Sequence, residues 1–248
     1  MKLLRNLIIA LLATVFCTGS AQAIDFGNER LNYQIVFHWG VIWKHAGNAT
    51  LSIKSASGGY QAMLTGATRS WADKIYPVRD TLLCSMNANL QPLRYEKITH
   101  EKDYYARDLI NFSYNYSHTK ANCKRFRKGG TTEINLSAKC QAYDMVSVFY
   151  MLRNLDFDDL ANKKSLTTVI FSGKEKEYLT IRYKAKEMVK MRNGTKRDAY
   201  HIIFKFTQEG GKKSSSDLNA WISTDSRHIP LVLSGSLSVG EVKCYYTE

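Results

Sequence analysis

The chain has 248 residues, with 35 lysines and arginines against 22 acidic residues, a formal net charge of +13. That length excludes a large multidomain assembly, and it lets one β-type domain, or two small ones, bury a core of its own. Past the N-terminus no apolar run approaches the ~20 residues that a membrane-spanning helix needs. The basic excess favours anionic partners without naming one.

Residues 1–23 read as a secretory signal peptide, with Lys2 and Arg5 as the positive start, Leu7 to Phe16 as the apolar core and Ala21-Gln22-Ala23 as the small-residue cleavage site. Cleavage after Ala23 would start the mature chain at Ile24 and place it in the periplasm. Cys17 raises the alternative of a lipoprotein anchor, but Phe16 stands where a lipobox takes a small residue. Without Lys2 and Arg5 the charge is +11, and residues 174–213, with twelve basic and five acidic residues, hold +7 of it. In an exported protein, anionic lipid headgroups or acidic glycans outrank nucleic acid. A solvated sheet face is the plainer reading of the same charge.

Leu31, Tyr33, Ile35, Phe37 and Trp39 alternate with polar positions, the period of a strand with one buried face, and Val36 breaks the pattern. A second strand follows through Ala49, Leu51 and Ile53, and Ser57-Gly58-Gly59 reads as a hairpin turn. Val78 to Met86, Arg94 to Glu101, Tyr104 to Tyr116 and Cys123 to Lys128 continue the meander. The strongest helical pattern is residues 144–155. Asp144 can cap it, and Met145, Val148, Phe149, Leu152 and Leu155 form one apolar face. Asp156 to Lys164 reads as a polar connection. Strands then resume with Leu179 to Lys186, the Asn193-Gly194 turn, Tyr200 to Phe206 and a closing meander to Tyr246. Turns about every ten residues fit a sandwich or barrel.

Four cysteines remain after the leader: Cys84, Cys123, Cys140 and Cys244. An even number in an oxidising compartment permits two disulfides. Cys123–Cys140 is the favoured pair because the two flank the turn at Lys128-Gly129-Gly130. Cys84–Cys244 follows by elimination.

No HExxH, GxSxG or nucleotide-binding glycine loop is present, and the histidines are scattered, so the sequence supplies no catalytic residue, no metal set and no cofactor. Arg153, near the helix end, can pair with an internal carboxylate or hold an anionic headgroup. Trp39, Trp43 and Trp221 could line a lipid or glycan groove, although aromatics at strand parity more often pack in a core. Arg182, Lys184 and Lys186 alternate with Ile181, Tyr183 and Ala185, which makes one strand face cationic and a candidate contact for an anionic surface.

Three stretches, Tyr33 to Gly40 with Ala46 to Leu51, Asp144 to Arg153, and Trp221 to Pro230, together resemble a bacterial exported envelope family known as domain of unknown function three-one-zero-eight, DUF3108. The resemblance covers nearly all of the mature chain. It implies a β-rich fold and, by analogy with periplasmic lipoprotein carriers, an incomplete barrel wrapping an apolar cavity around a helix. It brings no catalytic residues. This chain departs from the family pattern at Met145 and Val146, where the family often has Pro and Leu.

The expected fold is therefore mainly β, one domain over residues 24–248, an antiparallel curved sheet or incomplete β-barrel packed around one central α-helix near 144–155. The expected function is non-enzymatic binding of a lipid or acyl chain by a monomer. An enzyme acting on envelope glycans and a structural, partner-binding module are the alternatives.

Overall fold

The computed structural model describes residues 24–115, 118–211, 213–236 and 240–248; the expected signal peptide, with Cys17, lies outside them, as does the side chain of Trp39. The chain is 66% strand, and it forms a nearly closed, barrel-like sheet of 15 strands with a seam. The first eight strands are β1 (Glu29–Trp39), β2 (Ile42–Ala56), β3 (Gly59–Thr68), β4 (Arg79–Asn87), β5 (Pro92–Glu101), β6 (Tyr104–Asn115), β7 (His118–Arg127) and β8 (Gly130–Ala138). A short helix α1 (Ser70–Asp73) sits between β3 and β4. After β9 (Ala142–Tyr143) come two helices, α2 (Ser147–Arg153) and α3 (Phe157–Lys163). The rest is β10 (Ser165–Phe171), β11 (Lys176–Lys190), β12 (Lys196–Gln208), β13 (Leu218–Ser223), β14 (Pro230–Ser236) and β15 (Glu241–Thr247).

β15 pairs with β1, which joins the two halves of the meander into one sheet. All neighbours are antiparallel except β9 and β10. The edges are β8 and β9, so residues 139–141 carry the chain across the seam. Thr119 ties that crossing down: its hydroxyl donates to the Cys140 carbonyl at 2.8 Å and accepts from the Ala142 amide at 3.1 Å.

The break in alternation at Val36 is a β-bulge between Ile35 and Val36, and Val36 is buried with Leu31 and Tyr33. An extra residue there flips parity and puts a position that plain alternation would expose into the core.

The helical element is smaller than expected. α2 spans seven residues, not twelve, and is two turns long. Asp144 does start it: its carboxylate accepts from the Val146 and Ser147 amides at 2.7 and 2.9 Å, and the Ser147 hydroxyl accepts from the Asp144 amide at 3.0 Å. Tyr150 belongs to the larger core cluster, with Leu31, Tyr95 and Ile110 among its members, and Val148 and Leu152 to the smaller one with Ile181, Ile202 and Ile222. The expected polar connection after it is α3, capped by Asp156, whose side chain accepts from the Asp158 and Asp159 amides.

The four cysteines are free thiols. The β7–β8 register opposes Cys123 to Ile134 and Thr119 to Ala138. Cys140 therefore lies beside Thr119, four residues along β7 from Cys123. At ~3.3 Å per residue that is about 13 Å, well past the ~7 Å between Cα atoms that a disulfide tolerates. Cys84 and Cys244 sit on β4 and β15, with β3, β2 and β1 between them. Alkylation of the folded protein without reductant should modify exposed Cys140 first, and all four thiols should react once urea is added. A mass short by two protons in urea would restore a disulfide.

Candidate functional site

One end of the barrel is fixed by the base of α2. Arg153 is buried, and its guanidinium makes a two-pronged pair with Glu29, Nη1 to Oε2 at 2.6 Å and Nη2 to Oε1 at 3.0 Å. Nε and Nη2 also donate to the carbonyls of Arg227 and His228 in the β13–β14 turn. Phe26 packs under the guanidinium, 4.8 Å from its ring centre. Burial by itself would push the Glu29 carboxyl up, but Arg153 and Arg227 outweigh it and hold the group below its ordinary value. Every guanidinium nitrogen of Arg153 thus has a protein partner. This is the internal ion pair, and it leaves no free fork for a headgroup.

Higher in the interior, Asp144 is fully buried. Its second oxygen accepts from the Cys84 thiol at 2.9 Å. Burial pushes the Asp144 carboxyl up, and the bonds from Cys84, Ser147 and Val146 only partly offset that. Burial and the Asp144 charge together push the Cys84 thiol well up, so it stays a neutral donor.

Between α2 and the inner face of β11–β15 lies a pocket of about 230 Å³. α2 and the turn before it contribute Met145, Val148, Phe149 and Leu152. The sheet contributes Leu179, Phe204, Phe206, Leu218, Leu233, Val242 and Cys244. Its polar side chains are already engaged: Asn219 with His201 at 2.8 Å and Ser234 with Glu241 at 2.6 Å. Gly235 makes part of the space, because a Cβ there would sit 2.6 Å from Leu218 Cδ2. Burial pushes the Cys244 thiol up to about 11. The volume exceeds the ~150 Å³ of apolar cavities that stay dry and take a benzene-sized guest, and falls below the ~300 Å³ where drug-sized sites begin.

The opposite face of the same strands carries a second, wetter cleft of about 520 Å³, lined by Trp43, Trp221, Tyr245, Lys190, Arg192 and Lys243 among others. Trp221 is held in place: its indole N–H donates to Glu187 at 2.8 Å, and it stacks on His201, whose Nδ1 is 2.8 Å from the same carboxylate. Trp43 stacks on His38, and the Lys243 ammonium lies 4.8 Å from its ring centre.

The family profile described as "Protein of unknown function (DUF3108)" matches residues 32–247. The chain belongs to the DUF3108 family. Its fold is also similar to the crystal structure of a beta-barrel-like protein of domain of unknown function DUF1849 from Brucella abortus, with a TM-score of 0.63 at 9% identity, covering 91% of this chain and 98% of that one. At that identity the likeness concerns the fold alone. No curated protein matches the chain.

In this DUF3108 chain the expected ligand residues separate. Trp43 and Trp221 share the outer cleft, Arg153 is locked in its ion pair, and Trp39 ends β1 with its side chain outside the described set. Arg182, Lys184 and Lys186 are all exposed while Ile181 is buried, but they do not share one face: the bulge between Tyr183 and Ala185 shifts the parity, so Arg182 stands opposite Ile203 and Lys186 stands opposite Tyr200, on the side of buried Ile202 and Phe204. Arg182, however, is paired with Asp217 at 2.6 Å. Glu29 and the pocket residues Leu233 and Val242 were not legible as a site. Glu29 is 124 residues from its partner, and nothing local in the sequence marks it. Among the described residues no group of three or more His, Cys, Asp or Glu could hold a metal ion.

Proposed function

We propose that this DUF3108 chain is an exported envelope protein that binds the acyl part of a lipid or similar amphiphile, without catalysing a reaction. The observation that carries the reading is the pocket beside α2, whose lining is Leu, Phe, Met and Val and whose few polar side chains are already paired. Such a lining offers a ligand burial and little directional bonding. Selectivity would then come from chain length. Each buried CH₂ contributes about 0.8 kcal/mol, or roughly fourfold in affinity, until the pocket is full.

Titration with a dansyl-labelled fatty acid series tests this. Saturable one-site binding is expected, tightening with chain length to a plateau. Leu233→Trp, which fills the pocket, should weaken it at least tenfold, and Leu83→Trp on the exposed sheet face should not. Val242→Phe serves if Leu233→Trp fails to fold. Absence of saturable binding, or wild-type affinity in the filled variants, refutes the reading.

The outer cleft supports a second reading, an anionic glycan laid on Trp221 between Lys190, Arg192 and Lys243. Binding of a sulfated oligosaccharide that Trp221→Ala abolishes, with the acyl series inert, would favour it.

A further inference from the structure

Antiparallel pairing places the β1–β2, β3–β4, β5–β6, β7–β8, β10–β11 and β12–β13 connections at one end of the barrel. The exposed apolar side chains concentrate there. Gly40, at φ +58°, turns the β1–β2 hairpin, and Val41 and Ile42 at its tip are 95% and 55% exposed. Ile75 and Tyr76, before β4, are 73% and 47% exposed. Tyr104 and Tyr105 start β6 and are about as open. These tips are physically continuous. Trp71 of α1 donates to the His45 carbonyl of β2 at 2.7 Å. Tyr76 donates to Glu101 at 2.9 Å, and the Lys102 amide to the Pro77 carbonyl at 2.9 Å. At the opposite end, in turns such as Ser57–Gly58, residues 88–91 and residues 192–195, the exposed residues are small or polar and Leu90 is buried; the exposed apolar side chains near that end, Leu93, Leu166 and Met188, lie within strands rather than at turn tips.

The same rim is basic. Lys44, two residues into β2, and Lys74, Lys102 and Lys128 in the next three connections are exposed, as are Lys174 and Lys213 in the last two. Most acids there are already neutralised or engaged: Asp73 by Arg79, Glu209 by Lys176, Asp217 by Arg182, and Glu101 by the Tyr76 hydroxyl. Asp103, Glu209 and Asp217 are the exposed acids of these turns, the last two in those ion pairs.

We infer that this rim docks on an anionic lipid bilayer, with the Val41–Ile42 and Ile75–Tyr76 tips entering the interface and the lysines meeting headgroups. Aliphatic and aromatic residues ringed by lysine match an interfacial layer, where apolar burial and attraction to anionic lipid add. The match is poorer for a folded protein partner, since lysine is depleted in protein interfaces. The rim also lies at the pocket's end of the barrel: Leu218 opens β13, Gly235 nearly ends β14 and Val242 is near the start of β15. Docking there would bring the pocket toward the acyl layer. The inference stands on the rim itself and does not require the pocket to be occupied.

Flotation of the mature protein with phosphatidylglycerol-containing vesicles and with pure phosphatidylcholine vesicles tests it. Wild type should float with the anionic vesicles, less with the neutral ones, and lose binding as salt rises. Val41→Ser/Ile42→Ser/Ile75→Ser, all at exposed positions, should keep the fold by circular dichroism, bind the dansyl probe as wild type does, and lose at least tenfold in vesicle binding. Lys184→Gln/Lys186→Gln, on β11 away from the rim and its ion pairs, should still float. Wild-type flotation by the rim variant, equal binding to both vesicle types, or loss confined to the β11 variant each overturns the inference. So does a wild-type dimer that the rim changes convert to monomer without any vesicle binding, which would assign the rim to a second copy. Loss of the dansyl signal in wild type with intact flotation would refute only the pocket reading.

Discussion

Glu29→Ala is expected to destabilise the protein by about 3–5 kcal/mol, because it strands the buried Arg153 guanidinium without its carboxylate. The backbone carbonyls of Arg227 and His228 and the Phe26 ring remain, but none carries a full negative charge. Arg153→Met should cost less, since Glu29 keeps Arg227 at 3.0 Å. The double change Glu29→Leu/Arg153→Met should recover much of the loss, because an apolar pair avoids the desolvation that both charges suffer. Urea unfolding of the four proteins gives the coupling directly. The pH dependence supplies an independent check. Glu29 has a folded-state pKa below its ordinary value of 4.5. Its contribution is therefore fully present above that value and is lost as pH falls through the depressed one. Glu29→Ala should lack this acid-side loss. A single-variant effect within about 0.5 kcal/mol, the range of ordinary surface changes, would mean that the pair does not hold the end of α2.

Asp144→Ala is the second large effect, expected at about 2–4 kcal/mol. It removes the acceptor for the Val146 and Ser147 amides and for the Cys84 thiol, all of which are buried. Asp144→Asn keeps a side-chain oxygen for the two amides and should cost less than half as much. The sign of the pH effect is opposite to that of Glu29. Burial raises the folded-state pKa of Asp144 above 3.8, so its contribution is fully present below the unfolded value and is lost as pH rises through the folded one. The stability gap between wild type and Asp144→Asn should accordingly narrow from acid toward neutral pH. A gap that widens instead would show that the thiol and amide bonds dominate burial. Since α2 forms one wall of the pocket, Asp144→Ala should also weaken the dansyl fatty acid, whereas the exposed rim changes should not.

Local pattern carried much of the architecture. Period-two alternation marked β1, β2, β11 and β12 because one face of each is buried and the other is wet. Asn193-Gly194 marked the tight turn between β11 and β12 because Gly194, at φ +87°, adopts a conformation that other residues resist. Asp144 was legible as the start of a helix because capping is a bond to amides two and three residues away. α3 was missed because its apolar face is only Phe157 and Leu160, too little for a periodic signal. β10 was missed because Ser165, Leu166 and Thr167 are all exposed and Val169, Ile170 and Phe171 are buried in succession, so it never alternates.

By itself the sequence determined what depends on neighbours along the chain: the strands, the tight turns, the helix start and membership of its family. Only the tertiary structure decided what depends on which strands become neighbours. The β15–β1 pairing closes one sheet from two halves. Register separates Cys123 from Cys140 although a hairpin joins them. Arg153 finds Glu29 across 124 residues, and scattered turn residues meet on one rim. The physical reason is that burial and pairing are properties of positions in space. A side chain's own type fixes what it can bond to, while the register of the whole sheet fixes what it meets.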